Sequence, residues 1–134
     1  MIVNLCLFPL YFAITINNEP VNIIDWFFCV FTISAVLLEH VSDEQMHKFK
    51  SNPNNNFVTM NKGLWKYSRH PNYLGELGFW LSIFLFGVAA GEGVSALTIS
   101  GPTIMLLLFV FVSISLIEQK LLQDKPGYKD YMAR

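Results

Sequence analysis

Fourteen consecutive residues carry most of the chemistry in this chain: Gly63-Leu64-Trp65-Lys66-Tyr67-Ser68-Arg69-His70-Pro71-Asn72-Tyr73-Leu74-Gly75-Glu76. They run directly into an apolar segment, residues 77–90, suited only to lipid or a deep core. Pro71 fits the first position of a helix, because its missing N–H would be unpaired there and its φ is already helical. The mouth of such a helix carries partial positive charge and free N–H groups beside Arg69 and His70. A phosphate or carboxylate is the natural guest. Asn72 and Glu76 lie four apart and Tyr73 and Glu76 three apart, so they share a face just inside the helix. A carboxylate on that face can accept hydrogen bonds from a ligand whose charged end rests at the mouth. Trp65, Lys66 and Tyr67 have the types of an interfacial anchor, whereas a Glu so close to hydrocarbon needs a functional reason.

The elements that must hold these residues are apolar blocks. The chain has 134 residues, 53% of them hydrophobic, enough for one domain. The blocks fall at residues 2–16, 21–38, 73–90 and 97–117. The first is short for a span of about 20 residues and the others suffice. Residues 1–16 lack the basic start and small-residue cleavage site of a signal peptide, so they read as a span or its remnant. The expected fold is all-α: a single polytopic membrane domain of about four transmembrane helices with a cytosolic cofactor crevice. Lys and Arg are confined to the 39–71 connection and the tail, while the other connections hold only Glu19 and Glu92. The positive-inside bias then places both termini and the 39–71 connection in the cytosol.

The second block should continue as one helix from about residue 22 to Lys50, since residues 39–50 contain neither Pro nor Gly. Ser51-Asn52-Pro53-Asn54-Asn55-Asn56 breaks it as a mobile turn. His40, Asp43, Glu44 and His47 share a helix face but read as a solvated or ligand-facing surface, and no metal site is expected. Cys6 and Cys29 read as small core residues. Gly87-x-x-x-Gly91 has the spacing of a close helix contact. Glu118, at the end of the fourth block, is either an interfacial charge or a second carboxylate of a site shared with the helix starting at Pro71. No phosphate loop, dinucleotide fingerprint or hydrolase elbow is present, and no nucleic-acid partner is expected.

The motif Gly63-Leu64-Trp65-x-Tyr67-Ser68-Arg69-His70-Pro71-Asn72-Tyr73-x-Gly75-Glu76 resembles the signature of the steroid 5-alpha-reductase C-terminal family, in its bacterial and protist branch of membrane proteins. Ser42-Asp43-Glu44-Gln45 upstream, and Glu118 with Pro126-Gly127-Tyr128-x-x-Tyr131 downstream, follow the same order, so the resemblance covers residues 39–134 broadly. It implies a helical membrane oxidoreductase whose cytosolic half grips NADPH and reduces a C=C bond of a steroid-like or other lipid enone. The superfamily also holds isoprenylcysteine methyltransferases, which makes S-adenosylmethionine-dependent methyl transfer to a lipid or prenylated carboxylate the alternative. Carried over by position, Asp43 and Lys50 would lie near the cofactor. Arg69 and His70 would meet its phosphate or adenosine, Asn72 and Glu76 its ribose or nicotinamide side, Glu118, Tyr128 and Tyr131 would close the pocket, and Tyr67 and Tyr73 are further cofactor-binding candidates. The implied partners are the bilayer and an apolar lipid substrate, in the endoplasmic reticulum of a eukaryote or the plasma membrane of a bacterium. Family members usually have further N-terminal helices that face the substrate carbonyl. This chain is therefore expected to be the cofactor-binding part, either non-catalytic alone or completed by a partner polypeptide or a second copy.

Overall fold

The computed structural model describes residues 20–92 and 96–133, together with Leu7, Tyr11 and Thr15, and holds only helices and turns among them. The block at residues 2–16 falls almost wholly outside the described residues. Helix α1 (Ile23–Lys50) starts at a reciprocal cap. Asn22 Oδ1 accepts from the Ile24 N–H at 2.7 Å, and Asp25 Oδ2 accepts from the Asn22 N–H at 2.8 Å. Such a cap stabilises the helix by about 1 kcal/mol. With 28 residues at about 1.5 Å each, α1 is about 42 Å long, and its last turns can stand clear of a hydrocarbon layer of about 30 Å. His47, Lys48 and Lys50 occupy the last turn, where the helix dipole favours cations.

The Asn-rich break is an ordered turn, contrary to the expected mobility. Asn52 Oδ1 accepts from the Asn54 N–H at 3.1 Å, and Asn55 Nδ2 donates to the Phe49 carbonyl at 2.8 Å. These bonds stitch the short 3-10 turn Pro53–Asn55 back onto the end of α1.

Helix α2 (Pro71–Gly87) begins at its proline, as predicted, and widens into a π turn over Val88–Glu92. Its main partner is α1. The two approach so closely at Gly75 that a Cβ there would lie 2.6 Å from the Glu39 nitrogen and 2.7 Å from the Ala35 oxygen. Deeper in the apolar layer, the Thr32 and Ser82 hydroxyl oxygens are 2.9 Å apart across the same interface. Hydrogen bonds between membrane helices contribute about 0.6 kcal/mol on average, so glycine-permitted packing dominates here. Helix α3 (Ala96–Leu107), a π turn over Leu108–Ser113, and α4 (Ile114–Asp124) follow one another without a break. Trp80 and Ile83 form a small core with Phe79, Met105 and Leu7. Short helix α5 (Tyr128–Met132) follows a turn at Pro126 and Gly127.

Among the described residues, three helices are long and apolar enough to cross a membrane: Ile23–Lys50, Pro71–Ala90 and Thr98–Asp124. Trp26, Phe27, Val30, Phe111 and Leu116 are exposed along them. Apolar faces of that extent suit lipid, and helices satisfy their backbone polar groups internally, as a bilayer demands. The protein is a helical membrane protein.

Candidate functional site

The segment 61–70 is laid across the far end of α1. Gly63 has φ +58°, a left-handed conformation that suits glycine. That turn lets the Leu64 N–H donate to Gln45 Oε1 at 2.9 Å. Trp65 Nε1 donates to the Ser42 carbonyl at 3.0 Å, and both residues are buried. Trp65 is therefore a strut between the segment and α1, not the interfacial anchor its type suggested. Lys66 and Tyr67 are exposed, with the Lys66 ammonium 5.8 Å from the Tyr67 ring centre. From the other side, the Tyr131 hydroxyl donates to the Trp65 carbonyl and lies 3.2 Å from the Ser68 carbonyl, pinning α5 over the segment.

Between these parts lies a cavity of about 230 Å³, walled by α1, the 59–70 segment, the start of α2, α4 and α5. Of the residues the sequence put forward, Asp43, Lys50, Arg69, His70, Asn72, Tyr73, Tyr128 and Tyr131 line it. Glu118 stands beside it, where its Oε1 accepts from Arg69 at 3.0 Å and from His70 Nε2 at 3.1 Å. It thus ties α4 to the two residues just before α2. Tyr67 and Glu76 are not in the wall. Tyr67 is 84% exposed, and Glu76 is half-buried, near enough to Glu39 to interact with its charge. An outer groove of about 310 Å³, lined by Lys66, Tyr67 and Ser68 among others, shares Arg69 and Tyr131 with the cavity. Among the described residues no group of His, Cys, Asp or Glu is arranged to hold a metal ion.

Sequence reasoning did not put Phe49, Thr59 and Lys125 forward as site residues, though all three are in the wall. Phe49 had a signal, since it belongs with Ser42-Asp43-Glu44-Gln45 to the upstream part of the motif resemblance. Thr59 and Lys125 had none, since they sit in connecting segments. Lys125 Nζ donates to the Val58 carbonyl and lies 5.8 Å from the Phe49 ring centre. An aromatic stack supports the opposite wall. The His70 and Tyr73 rings are 5.5 Å apart and 13° from parallel, and the Tyr73 and Phe109 rings 4.4 Å apart and 3° from parallel. Phe109 belongs to the π turn, a distortion frequent at functional sites.

The lining is mainly apolar, with a few under-bonded polar atoms set into it. Thr59 Oγ1, Asn72 Oδ1 and the Tyr128 hydroxyl are buried without a hydrogen-bond partner, and all three residues line this cavity. A buried polar atom left unpaired costs about 1–3 kcal/mol, so three around one small space mark a place for a polar guest. Burial, and then the neighbouring Glu118 charge, push the Tyr128 phenol up to about 12, while Arg69 opposes them. Burial also raises Tyr131, again against Arg69. Lys125 is lowered by burial first and by the Lys50 charge second, with Asp124 opposing. The cavity thus offers protonated phenols, an amide oxygen and a hydroxyl next to cations. That set can bind an anionic ligand rich in hydroxyl and amide groups.

The chain belongs to the family described as "Protein of unknown function (DUF1295)", whose model matches residues 1–134. It is also similar to an uncharacterized protein of Schizosaccharomyces pombe, 28% identical over 110 residues, covering 68% of this chain and 32% of that protein. The chain therefore spans about a third of the length of the curated relative it matches. No solved structure matches it.

Proposed function

We propose that this member of the DUF1295 family is a membrane oxidoreductase that holds NADPH at the cavity between α1, α2, α4 and α5 and reduces a C=C bond of an apolar lipid enone. The observation that carries this reading is the convergence of three unpartnered polar atoms with cations in one cavity at the end of an apolar helical bundle. The resemblance of the 63–76 motif and of Glu118, Tyr128 and Tyr131 to the steroid 5-alpha-reductase C-terminal family supports the same choice. A cavity of about 230 Å³ holds part of a dinucleotide, and the groove of about 310 Å³ beyond Arg69 and Tyr131 extends the space for the rest.

Bound there, NADPH would supply a hydride to an electron-poor carbon. The residues of this chain bind and orient. Asn72 Oδ1 accepts from a carboxamide or a ribose hydroxyl. The Tyr128 phenol, still protonated at neutral pH, donates. Arg69 and His70 are held in place by Glu118, so their positions are set before a ligand arrives. S-adenosylmethionine is the weaker candidate, because Lys50, Arg69 and Lys125 line the cavity against a single lining carboxylate, Asp43, and cations repel a sulfonium.

The test is hydride transfer from 4-deuterated NADPH to a lipid enone by the protein in proteoliposomes. Deuterium found at the former double bond supports the proposal. Methyl transfer from S-adenosylmethionine under the same conditions overturns it.

A further inference from the structure

The cavity lining holds two lysines, Lys50 and Lys125, that are not ion-paired among the described residues. They come from segments far apart in sequence, the end of α1 and the turn after α4. Lys125 cannot swing freely into solvent, because its ammonium is hydrogen-bonded to the Val58 carbonyl and sits against the Phe49 ring. Thr59, next to Val58, contributes a buried hydroxyl without a partner to the same cavity. Two like charges brought to one rim repel each other, and the Lys50 charge does act on Lys125. A fold that brings them together and pairs neither with a carboxylate suits an anion with oxygen acceptors, even with Asp43 elsewhere in the lining and the Asp124 charge acting on Lys125. Arg69 serves a different part of the wall, since Glu118 already neutralises it.

We infer that Lys125, Lys50 and the Thr59 hydroxyl form a phosphoryl-binding subsite for a soluble ligand, and that Lys125 is the residue that selects for the phosphoryl charge. This rests on the cavity being a ligand site but not on the ligand being NADPH. Each fixed cation gives a charge-assisted hydrogen bond to a phosphoryl oxygen, and the hydroxyl adds a third donor.

The test measures thermal stability of the detergent-solubilised protein titrated with inorganic pyrophosphate, adenosine and NADPH. Lys125→Met should weaken pyrophosphate binding at least tenfold and leave adenosine binding unchanged. Lys62→Met, at an exposed lysine that lines neither the cavity nor the outer groove, should behave as wild type. Lys125→Arg keeps the charge and should retain pyrophosphate binding, which separates lost charge from lost folding. Equal losses in Lys125→Met and Lys62→Met, or pyrophosphate binding by Lys125→Met at the wild-type level, would overturn the inference. So would stabilisation by phosphatidic acid micelles with none by pyrophosphate, which would make the ligand a lipid headgroup. Pyrophosphate binding without NADPH binding would sink the dinucleotide reading and keep the subsite. NADPH binding that ignores Lys125→Met would do the reverse.

Discussion

Glu118 carries two partners on one oxygen, and the structure says which matters more. Its side chain is 15% exposed, that of His70 13% and that of Arg69 41%. The distances, 3.0 Å to Arg69 and 3.1 Å to His70, do not separate the two bonds. Solvent does. A desolvated hydrogen bond to a charged group contributes about 1.5–3 kcal/mol, and an exposed ion pair about 0.2–1 kcal/mol. A double-mutant cycle pairing Glu118→Gln with His70→Asn should therefore give a coupling energy of about 1.5–2 kcal/mol. The cycle with Arg69→Met should give about 0.5–1 kcal/mol after discounting for exposure. Unfolding in mixed micelles, followed by far-UV circular dichroism, reads both cycles. A coupling to Arg69 equal to or larger than that to His70 would refute the argument from burial.

Gly75→Ala should destabilise the protein by about 1–3 kcal/mol, because its Cβ would meet α1 backbone. Gly78→Ala, whose nearest obstacle is the Ala35 methyl at 3.1 Å, should cost clearly less, and equal losses in thermal unfolding would contradict the close approach. Tyr128→Phe removes an unpartnered buried hydroxyl, so it should leave the ligand-free protein as stable or slightly more stable while weakening NADPH binding. Tyr128 titrates at about 12 in the folded protein against 10.0 in the ordinary phenol, so the unfolded state alone loses that proton in between. Its share of stability is complete below pH 10 and falls above it by about 1.4 kcal/mol per pH unit; Tyr128→Phe should flatten that alkaline decline in a denaturation series. Reporter tags at residues 54 and 134 should be cytosolic and one at residue 94 on the opposite side; a tag at residue 54 found outside would contradict the charge-based topology.

Helix boundaries were legible where local chemistry sets them. The Asn22 and Asp25 cap, the absence of Pro or Gly through Lys50, and Pro71 at a helix start are all written in adjacent residues. Half of the cavity lining was legible too, since eight of the residues carried over from motif resemblance line it. What stayed hidden depends on distant chain segments. The close approach to α1 at Gly75 and Gly78 is set by the partner helix, and nothing in the local sequence announces it. Arg69 read as a free cation at a helix mouth, yet Glu118 reaches it from α4. Lys125 and Thr59 had no motif to announce them, because it is the folding of the turn after α4 against Val58 that brings them together.

The central claim is that the cavity binds NADPH, and Trp65 in its wall offers a direct probe. Energy transfer from tryptophan to the reduced nicotinamide, measured on the solubilised protein as NADPH is added, should give a saturable signal. That signal should weaken at least tenfold in apparent affinity in Asn72→Leu and stay unchanged in Lys62→Met, at an exposed lysine outside the cavity and the outer groove. No saturable transfer in the wild type, or the same affinity in Asn72→Leu, would contradict the account.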